Sequence, residues 1–322
     1  MNHLGIDLSK AYFDATYQDA KGQQEHGQFE NKPSGFAALQ KWLKSLGAGT
    51  VHACMEATNI YWEALADYLY EQGHAVSVVN PAQIKGFGMS QMQRNKTDKV
   101  DSRVIVAFCA ALAPPRWQPP SALERKLRRR VRHRQALVKS QTQHKNRLAD
   151  CQDEFVRQSL QTILATLQRE IQRVDAEIIA LIQGDPDLKQ KKAWLKSIIG
   201  FGDQTVHLLL AEMYDLANYA NAHAAAADAG VHPAHYQSGR TIYKKSRMCK
   251  VGKATVRGAL YLPALTAMRH NPLIIQFVQR LQDKGKSTMV IIGAVMRKLI
   301  HLAYGVLKNR SPFDPNWHNQ HA

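Results

Sequence analysis

In the first third of the chain, segments whose apolar residues have the spacing of strands alternate with segments whose apolar residues have the spacing of helices. Short apolar runs that end at turn-forming or acidic residues predict strands. Apolar residues spaced by three and four positions, such as Phe36, Leu39 and Leu43, predict helices. The predicted strands are Leu4–Leu8, Tyr12–Tyr17, Gln24–Glu30, Val51–Glu56 and Ala75–Val79, and the predicted helices are Gly35–Leu46, Ile60–Glu71 and Asp98–Leu112.

The order of these elements predicts a single mixed sheet. Three successive strands are followed by two helix–strand crossovers, which is the order of ribonuclease H-like domains. The proline pairs at 114–115 and 119–120 then interrupt the chain, because proline fixes φ and blocks helix continuation. We therefore expect an α/β domain of the ribonuclease H-like class at residues 1–115.

A long helical stretch is predicted after these prolines, and residues 116–186 are expected to form a basic helical and coiled-coil segment. Within it, apolar residues alternate at spacings of four and three, which is the seam of a heptad repeat. Two interpretations remain open, a seam between subunits and a helical hairpin packed inside one subunit. The seam residues are Leu160, Leu164, Leu167, Ile171, Val174, Ile178 and Leu181.

Residues 187–322 are predicted to form a mostly helical domain. Two helices, Trp194–Ile199 and Thr205–Met213, flank the turn Gly200-Phe201-Gly202. Either a phosphate-binding helix–hairpin–helix or a plain glycine-containing turn would explain this pattern. The remaining expectations are a helix at Ala224–Ala227, a loop at Gly230–Gly239, a basic helix at Lys250–Met268 and an apolar helix at Lys286–Leu307.

Positive charge is concentrated in two blocks of the 322-residue chain, whose formal net charge is +17. Residues 121–150 carry ten Lys and Arg against two acids, and residues 240–310 carry fifteen against Asp283 alone. Residues 1–113, with ten basic and eleven acidic groups, are near neutral. A solvated basic face is the simpler explanation, but this asymmetry favours a polyanionic partner such as nucleic acid.

Composition argues against several other classes of protein. A content of 45% hydrophobic and 21% charged residues is that of a globular chain and not of a disordered one. The longest wholly apolar run, near Thr288–Met296, is shorter than the ~18–20 residues that a membrane span needs. Met1–Lys10 has no apolar signal region, and the four cysteines are too scattered for a CxxC site or a disulfide framework. We expect a soluble cytoplasmic protein.

Four acidic residues are candidates for a metal site. Asp7 and Glu56 end the first and fourth predicted strands, which would be parallel neighbours in a ribonuclease H-like sheet. Asp98 and Asp101 share one face at the start of the helix that would pack on that sheet. Converging carboxylates repel one another unless divalent cations neutralise them, which suits two-metal phosphoryl transfer. Taken singly, each is compatible with a structural role, and Asp14 is expected to be a plain surface acid.

Several motifs resemble those of the DEDD transposases of bacterial insertion sequences, a family that includes the pilin-gene invertases. They occur in the expected order across nearly the whole chain. The N-terminal motifs are Gly5-Ile6-Asp7-Leu8-Ser9-Lys10, Met55-Glu56-Ala57-Thr58 and Lys96-Thr97-Asp98-Lys99-Val100-Asp101-Ser102. The C-terminal motifs are Ile199-Gly200-Phe201-Gly202, Gln237-Ser238-Gly239-Arg240, Lys250-Val251-Gly252-Lys253 and Leu260-Tyr261-Leu262-Pro263-Ala264.

This resemblance implies an enzyme, a transposase or site-specific DNA recombinase with a RuvC-like nuclease domain. It implies that Asp7, Glu56, Asp98 and Asp101 are catalytic and bind Mg²⁺, and that the catalytic serine, which would form a covalent phosphoserine intermediate, is Ser238. The implied C-terminal transposase domain is residues 187–322. The implied partners are donor and target DNA, a structured non-coding guide RNA (the bridge RNA), and further copies of the chain, as a homodimer that assembles into a tetramer.

The residue types alone leave the role of Ser238 open. A Ser-Gly pair is commonly a turn, and a serine hydroxyl becomes nucleophilic only beside a base or a metal ion. One alternative is a metal-dependent junction-resolving nuclease that uses the same acids with water as the nucleophile. Another is a non-catalytic RNA-binding scaffold whose acids are structural.

Overall fold

Two units, Met1–Pro120 and Ser121–Ala322, make up the protein in this computed structural model, and each is described by itself. The structure describes all residues except 58–59, 92–97, 215, 239–241 and 316–322, and the side chains of 98–100, 235–238 and 242–246 are also outside the description.

The first unit is a five-stranded mixed sheet with the strand order β3-β2-β1-β4-β5. Its strands are β1 (Asn2–Leu8), β2 (Tyr12–Gln18), β3 (Gln24–Glu30), β4 (Val51–Glu56) and β5 (Ala75–Val79). Its helices are α1 (Pro33–Ser45), α2 (Glu63–Glu71), α3 (Pro81–Ser90) and α4 (Asp98–Leu112). Strand β1 is antiparallel to β2 and parallel to β4. The mixed α/β class and all five predicted strands are confirmed.

Two helices of this unit differ from the sequence prediction. Helix α2 begins at Glu63, three residues after the predicted start at Ile60. Helix α3 was not predicted, because two glycines and few apolar residues leave it with little helical periodicity. The Asn80 side chain caps its first turn by accepting a hydrogen bond from the Ala82 amide, and Pro81 occupies its first position.

The two faces of the sheet carry different cores. Leu4 and Ile6 of β1 are fully buried in the cluster that includes residues of α1 and α2. Cys54 of β4 is buried against residues of α4 on the other face. Because successive side chains of a strand point to opposite faces, Gly5 and Asp7 lie on the α4 face.

The second unit begins with an antiparallel helical hairpin, α5 (Ala122–Asp150) and α6 (Glu154–Gln183). Ser121 and Glu124 form a reciprocal capping box at the start of α5. The heptad residues Val174 and Ile178 of α6 are buried in the same cluster as Leu127 of α5. Of the two interpretations of the heptad seam, the structure therefore favours the hairpin inside one chain.

The rest of this unit is helical apart from one β-hairpin, and it shares a hydrophobic core with α5 and α6. Its elements are α7 (Pro186–Lys196), α8 (Asp203–Glu212), α9 (Ala222–Asp228), β6 (Pro233–Ser238), β7 (Ile242–Met248), α10 (Ala254–Ala259), α11 (Tyr261–His270), α12 (Pro272–Asp283) and α13 (Thr288–Asn309).

Two predictions for this region were wrong. Residues of the expected loop Gly230–Gly239 form strand β6, which pairs antiparallel with β7, so the domain is not helical throughout. Tyr243 and Ile242 are aromatic and β-branched residues of the kind that favour strands. The basic helix expected at Lys250–Met268 is two helices, and it cannot begin before Gly252, whose φ of +126° is outside the helical region.

Helix α13 is the one described helix with the length and mean hydropathy, 1.6, of a membrane span. Half of its most apolar window is nevertheless buried inside the second unit. Val295, Leu299 and Ile300 are fully buried in the core. Its apolar composition is therefore explained by packing within the unit.

Candidate functional site

The predicted strand-end acids lie on neighbouring parallel strands. Ile6 of β1 and Met55 of β4 are paired in register, so the next residues, Asp7 and Glu56, lie side by side near the C-terminal ends of their strands. Both side chains are half-buried. Asp7 lies two positions after Gly5, and Glu56 lies two positions after Cys54. Gly5 and Cys54 both pack against α4. Both carboxylates are therefore on the α4 face of the sheet.

Helix α4 is seated directly on β1 through Gly5. A Cβ atom at this position would lie 2.3 Å from both the carbonyl oxygen of Ser102 and the amide nitrogen of Val106. The Ser102 hydroxyl is also within 2.8 Å of the Thr16 hydroxyl of β2 in a buried hydrogen bond. These contacts fix the first turns of α4 over the sheet.

The direction of α4 brings Asp101 toward the strand-end acids. Ser102 lies beside Gly5, whereas Cys109 lies beside His52, at the opposite end of the sheet. The helix therefore runs antiparallel to β1, and its N-terminal turn is at the end of the strands where Asp7 lies. Asp101 is half-buried in this turn, and Asp98 starts the helix but its side chain lies outside the described residues.

A fifth carboxylate shares this face. Asp14 of β2 is paired in register with Asp7 and is only 6% exposed, so the expectation of a surface acid was wrong. Its Oδ1 atom lies 3.1 Å from Nε2 of His26, and its Oδ2 atom accepts a hydrogen bond from the Gln28 side-chain amide. The sequence did not indicate this buried position, because it depends on the register of β2 against β1 and Asp14 does not lie at the end of a strand.

This face can hold a hard divalent cation. Carboxylate oxygens are the ligands that Mg²⁺ prefers, and partly buried carboxylates gathered together are stabilised by a cation. Asp7, Glu56 and Asp101 are described and come from three elements that meet on one face. The donor set therefore fits the ion that was expected from the sequence.

Ser238 belongs to the second unit. It is the last residue of β6 and is paired with Ile242 of β7, while its side chain lies outside the described residues. Beside this hairpin is a cavity of about 640 Å³, lined by Phe277 of α12 and by apolar and basic residues of α13. Pro233, Arg247 and Met248 of the hairpin form one wall of it.

Eight of the ten basic side chains of the first block fall into two groups. One group is used within the second unit: Arg132 makes two hydrogen bonds to the buried Glu212 carboxylate, at 2.6 and 2.9 Å, and Arg134 pairs with Asp175. Arg130 pairs with Glu177. The second group is exposed to solvent and can contact a polyanion. Its members are Lys126, Arg129, Lys139, Lys145 and Arg147.

Comparison with known proteins adds an independent line of evidence. Residues 4–156 match a DEDD family of IS110 elements described as "Transposase", and residues 192–279 match the "Transposase IS116/IS110/IS902 family". The pilin gene-inverting proteins of Moraxella bovis and Moraxella lacunata are each 33% identical over 323 aligned residues, which cover 98% of both chains. An insertion element IS900 protein of 42 kDa from Mycobacterium paratuberculosis is 26% identical over 48% of this chain and 39% of its own.

Proposed function

Because the chain belongs to the IS110 family of transposases and is a DNA transposase or recombinase, we propose that it cuts and rejoins insertion-sequence DNA through a covalent phosphoserine intermediate. The observation that carries the proposal is the convergence of Asp7, Glu56 and the first turn of α4 on one face of the sheet. The strand order β3-β2-β1-β4-β5 supports a ribonuclease H-like, RuvC-like fold for this unit.

In this proposal, Asp7, Glu56, Asp98 and Asp101 hold Mg²⁺. The family's DEDD designation is consistent with use of a divalent metal. When bound, the ion supplies Lewis-acid polarisation of a phosphodiester oxygen and lowers the pKa of a nearby hydroxyl. The remaining acid, Asp14, is already paired with His26 and is not one of the proposed ligands.

Ser238 provides the nucleophile. Its Oγ atom forms a bond to phosphorus, its proton leaves, and one bond between phosphorus and a DNA oxygen breaks, with that oxygen leaving as a hydroxyl. The phosphodiester energy is kept in the serine ester, so a second DNA hydroxyl can reverse the step and rejoin strands without ATP. Arg247 and Lys250, exposed near the hairpin, are suited to neutralising DNA phosphates.

The partners in this proposal are donor DNA, target DNA and a structured non-coding bridge RNA, bound by a homodimer that assembles into a tetramer in the cytoplasm. The net charge of +17 and the exposed basic residues of α5 support a nucleic-acid partner.

The proposal is tested with a nicked suicide DNA substrate and Mg²⁺. Wild-type protein is expected to form a DNA adduct that survives denaturation, that EDTA prevents, and that peptide mass spectrometry maps to the Ser238 segment. Ser238→Ala is expected to form no adduct, whereas Ser287→Ala, an exposed serine of the same unit, forms it normally. Recombination by Ser238→Ala would overturn the serine mechanism and favour the nuclease that uses water.

The carboxylates are tested in the same assay. Asp101→Asn is expected to reduce adduct formation by at least about 100-fold, because it removes charge from the metal ligands while leaving nucleic-acid binding intact. Asp150→Asn, an exposed acid at the end of α5, is the control and is expected to react normally. An Asp101→Asn variant that forms the adduct at the wild-type rate would separate these acids from the chemistry.

A further inference from the structure

A second cluster of metal-ligand side chains lies on the α4 face, at the end of the sheet opposite the carboxylates. His3 of β1 and His52 of β4 are paired in register, and Cys109 of α4 lies over them, with its Sγ atom 3.6 Å from the His52 carbonyl oxygen. A potential ligand atom of each of the three side chains lies within 4.8 Å of those of the other two. Nothing in the proposed recombination reaction uses these residues.

The orientation of His52 is fixed by Ser77. The His52 Nε2 atom is 2.8 Å from the Ser77 hydroxyl oxygen, and that hydroxyl is also 3.0 and 2.8 Å from the carbonyl oxygens of Pro114 and Pro115. A serine hydroxyl has one hydrogen, which it donates to a carbonyl, so Nε2 of His52 must be the donor to Ser77. The Nδ1 atom then carries a lone pair, as in a metal-ligating histidine held by an outer partner.

The other two side chains supply one further imidazole nitrogen and one thiol sulfur. The Cys109 thiol donates a hydrogen bond from Sγ to the His52 carbonyl oxygen, 3.6 Å away, so it carries a proton that a metal ion would displace. Neutral imidazole and thiolate are the forms that bind metal.

We propose that His3, His52 and Cys109 bind a Zn²⁺ ion that joins the starts of β1 and β4 to the C-terminal half of α4. Imidazole nitrogen and thiolate sulfur select zinc, whereas the all-oxygen carboxylate site selects magnesium. The two sites on one face would therefore not compete for one metal.

The geometry needs only a small adjustment. Zinc bonds of about 2.0 Å to nitrogen and 2.3 Å to sulfur place tetrahedral ligand atoms about 3.4 Å apart. Since the ligand atoms lie within 4.8 Å of one another, each pair has to close by at most about 1.4 Å. His3 is half-exposed, which leaves it room to turn and gives the ion a path from solvent. Cys54, whose thiol is hydrogen-bonded to Cys109, is a further donor for the fourth position. Binding releases the Cys109 proton to solvent.

The full-length protein tests this directly. After stripping with a chelator and dialysis against Zn²⁺ with excess Mg²⁺, the wild type is expected to retain one zinc per chain by elemental analysis. Replacing zinc with Co²⁺ is expected to give a near-ultraviolet thiolate-to-cobalt band, which the carboxylate site cannot produce. Because neither readout involves DNA, the outcome is independent of the proposed recombination mechanism.

Matched variants complete the experiment. Cys109→Ser and the half-exposed His3→Gln are each expected to weaken zinc affinity at least about 10-fold, and Cys109→Ser to abolish the cobalt band. Cys151→Ser and the exposed His270→Gln are the controls and are expected to behave as wild type. Folding of each variant is checked by circular dichroism. A folded wild type that retains no zinc, or a cobalt band that persists in Cys109→Ser, would overturn the proposal.

Discussion

Gly5 of β1 and Ser102 of α4 are so close that a Cβ atom on the glycine would lie 2.3 Å from the serine carbonyl oxygen. The obstructing atoms are backbone atoms of a helix, which cannot turn aside as a side chain can. Since Asp101 is the neighbour of Ser102, the same contact determines how far that carboxylate lies from Asp7. A residue without a side chain therefore controls the spacing of the proposed metal ligands.

Gly5→Ala is expected to push α4 away from the sheet and to disturb the site. We expect a loss of about 1–3 kcal/mol in the free energy of unfolding, as for other overpacked cores, and a larger loss of adduct formation than of DNA binding. Urea unfolding and the suicide-substrate assay measure the two effects. Gly86→Ala in α3 is the control, because a Cβ atom there would meet no neighbouring element within 4 Å and alanine favours helices. Equal activity of Gly5→Ala and wild type would contradict this account.

Local pattern was sufficient to predict the five strands of the mixed sheet and the positions of two candidate acids. Asp7 and Glu56 follow apolar runs directly, so their positions at the strand ends could be read from the sequence. Asp14 could not be placed in this way, because its burial depends on the register of β2 against β1 and on the His26 partner supplied by β3. A mid-strand polar residue facing a helix has no signature within its own segment.

Convergence of residues from distant segments was also beyond the sequence. His3, His52 and Cys109 have no metal-binding spacing, since each comes from a different element and only the docking of α4 brings them together. The hairpin that contains Ser238 was missed for a different reason. Its strands are polar, and they pair with each other and not with a larger sheet, so no apolar run marks them in the sequence.

The two groups of basic residues on α5 are expected to respond differently to mutation. Replacing the exposed Lys139, Lys145 and Arg147 with alanine should reduce the slope of log affinity against log salt by about 2–3 units if each contacts a phosphate. Arg132→Ala should leave that slope nearly unchanged but cost about 3 kcal/mol of stability, because it leaves the buried Glu212 carboxylate without its partner. Filter binding over a salt series measures the slope, and urea unfolding measures the stability. An unchanged slope in the triple variant would show that this part of α5 does not contact nucleic acid.

The heptad seam of α6 provides a test of the intrachain hairpin. Ile171 is 6% exposed. Ile171→Asp should therefore lower the free energy of unfolding by about 3 kcal/mol through an unpaired buried charge. Ile163→Asp, at a 38% exposed position on the same helix, should cost far less. Unfolding curves and light scattering are measured for both variants. A folded Ile171→Asp protein of unchanged stability but reduced assembly mass would show instead that the seam lies between subunits.

The stability of the second unit is expected to fall as the solution is acidified, owing to His207 of α8. Its side chain is buried, and neither ring nitrogen has a hydrogen-bond partner among the described residues. Burial, and then the Lys192 charge, lower its pKa to about 4. In the unfolded chain this histidine has a pKa near 6.5, so it binds a proton at a pH at which the folded form does not. The contribution of neutral His207 to the free energy of unfolding is therefore fully present above pH 6.5 and is lost as the pH falls toward 4.

From pH 7.5 to pH 5.0, this one group should account for about 2 kcal/mol of lost stability. His301 of α13 adds to the loss in the same direction, because burial, and then Arg297, also lower its pKa to about 4. His207→Leu should reduce the pH dependence of urea unfolding by about 2 kcal/mol while leaving stability at pH 7.5 close to wild type. The exposed His270→Gln is the control and should keep the full dependence. If His207→Leu loses as much free energy of unfolding between pH 7.5 and pH 5.0 as the wild type, protonation of His207 does not cause the loss of stability at low pH.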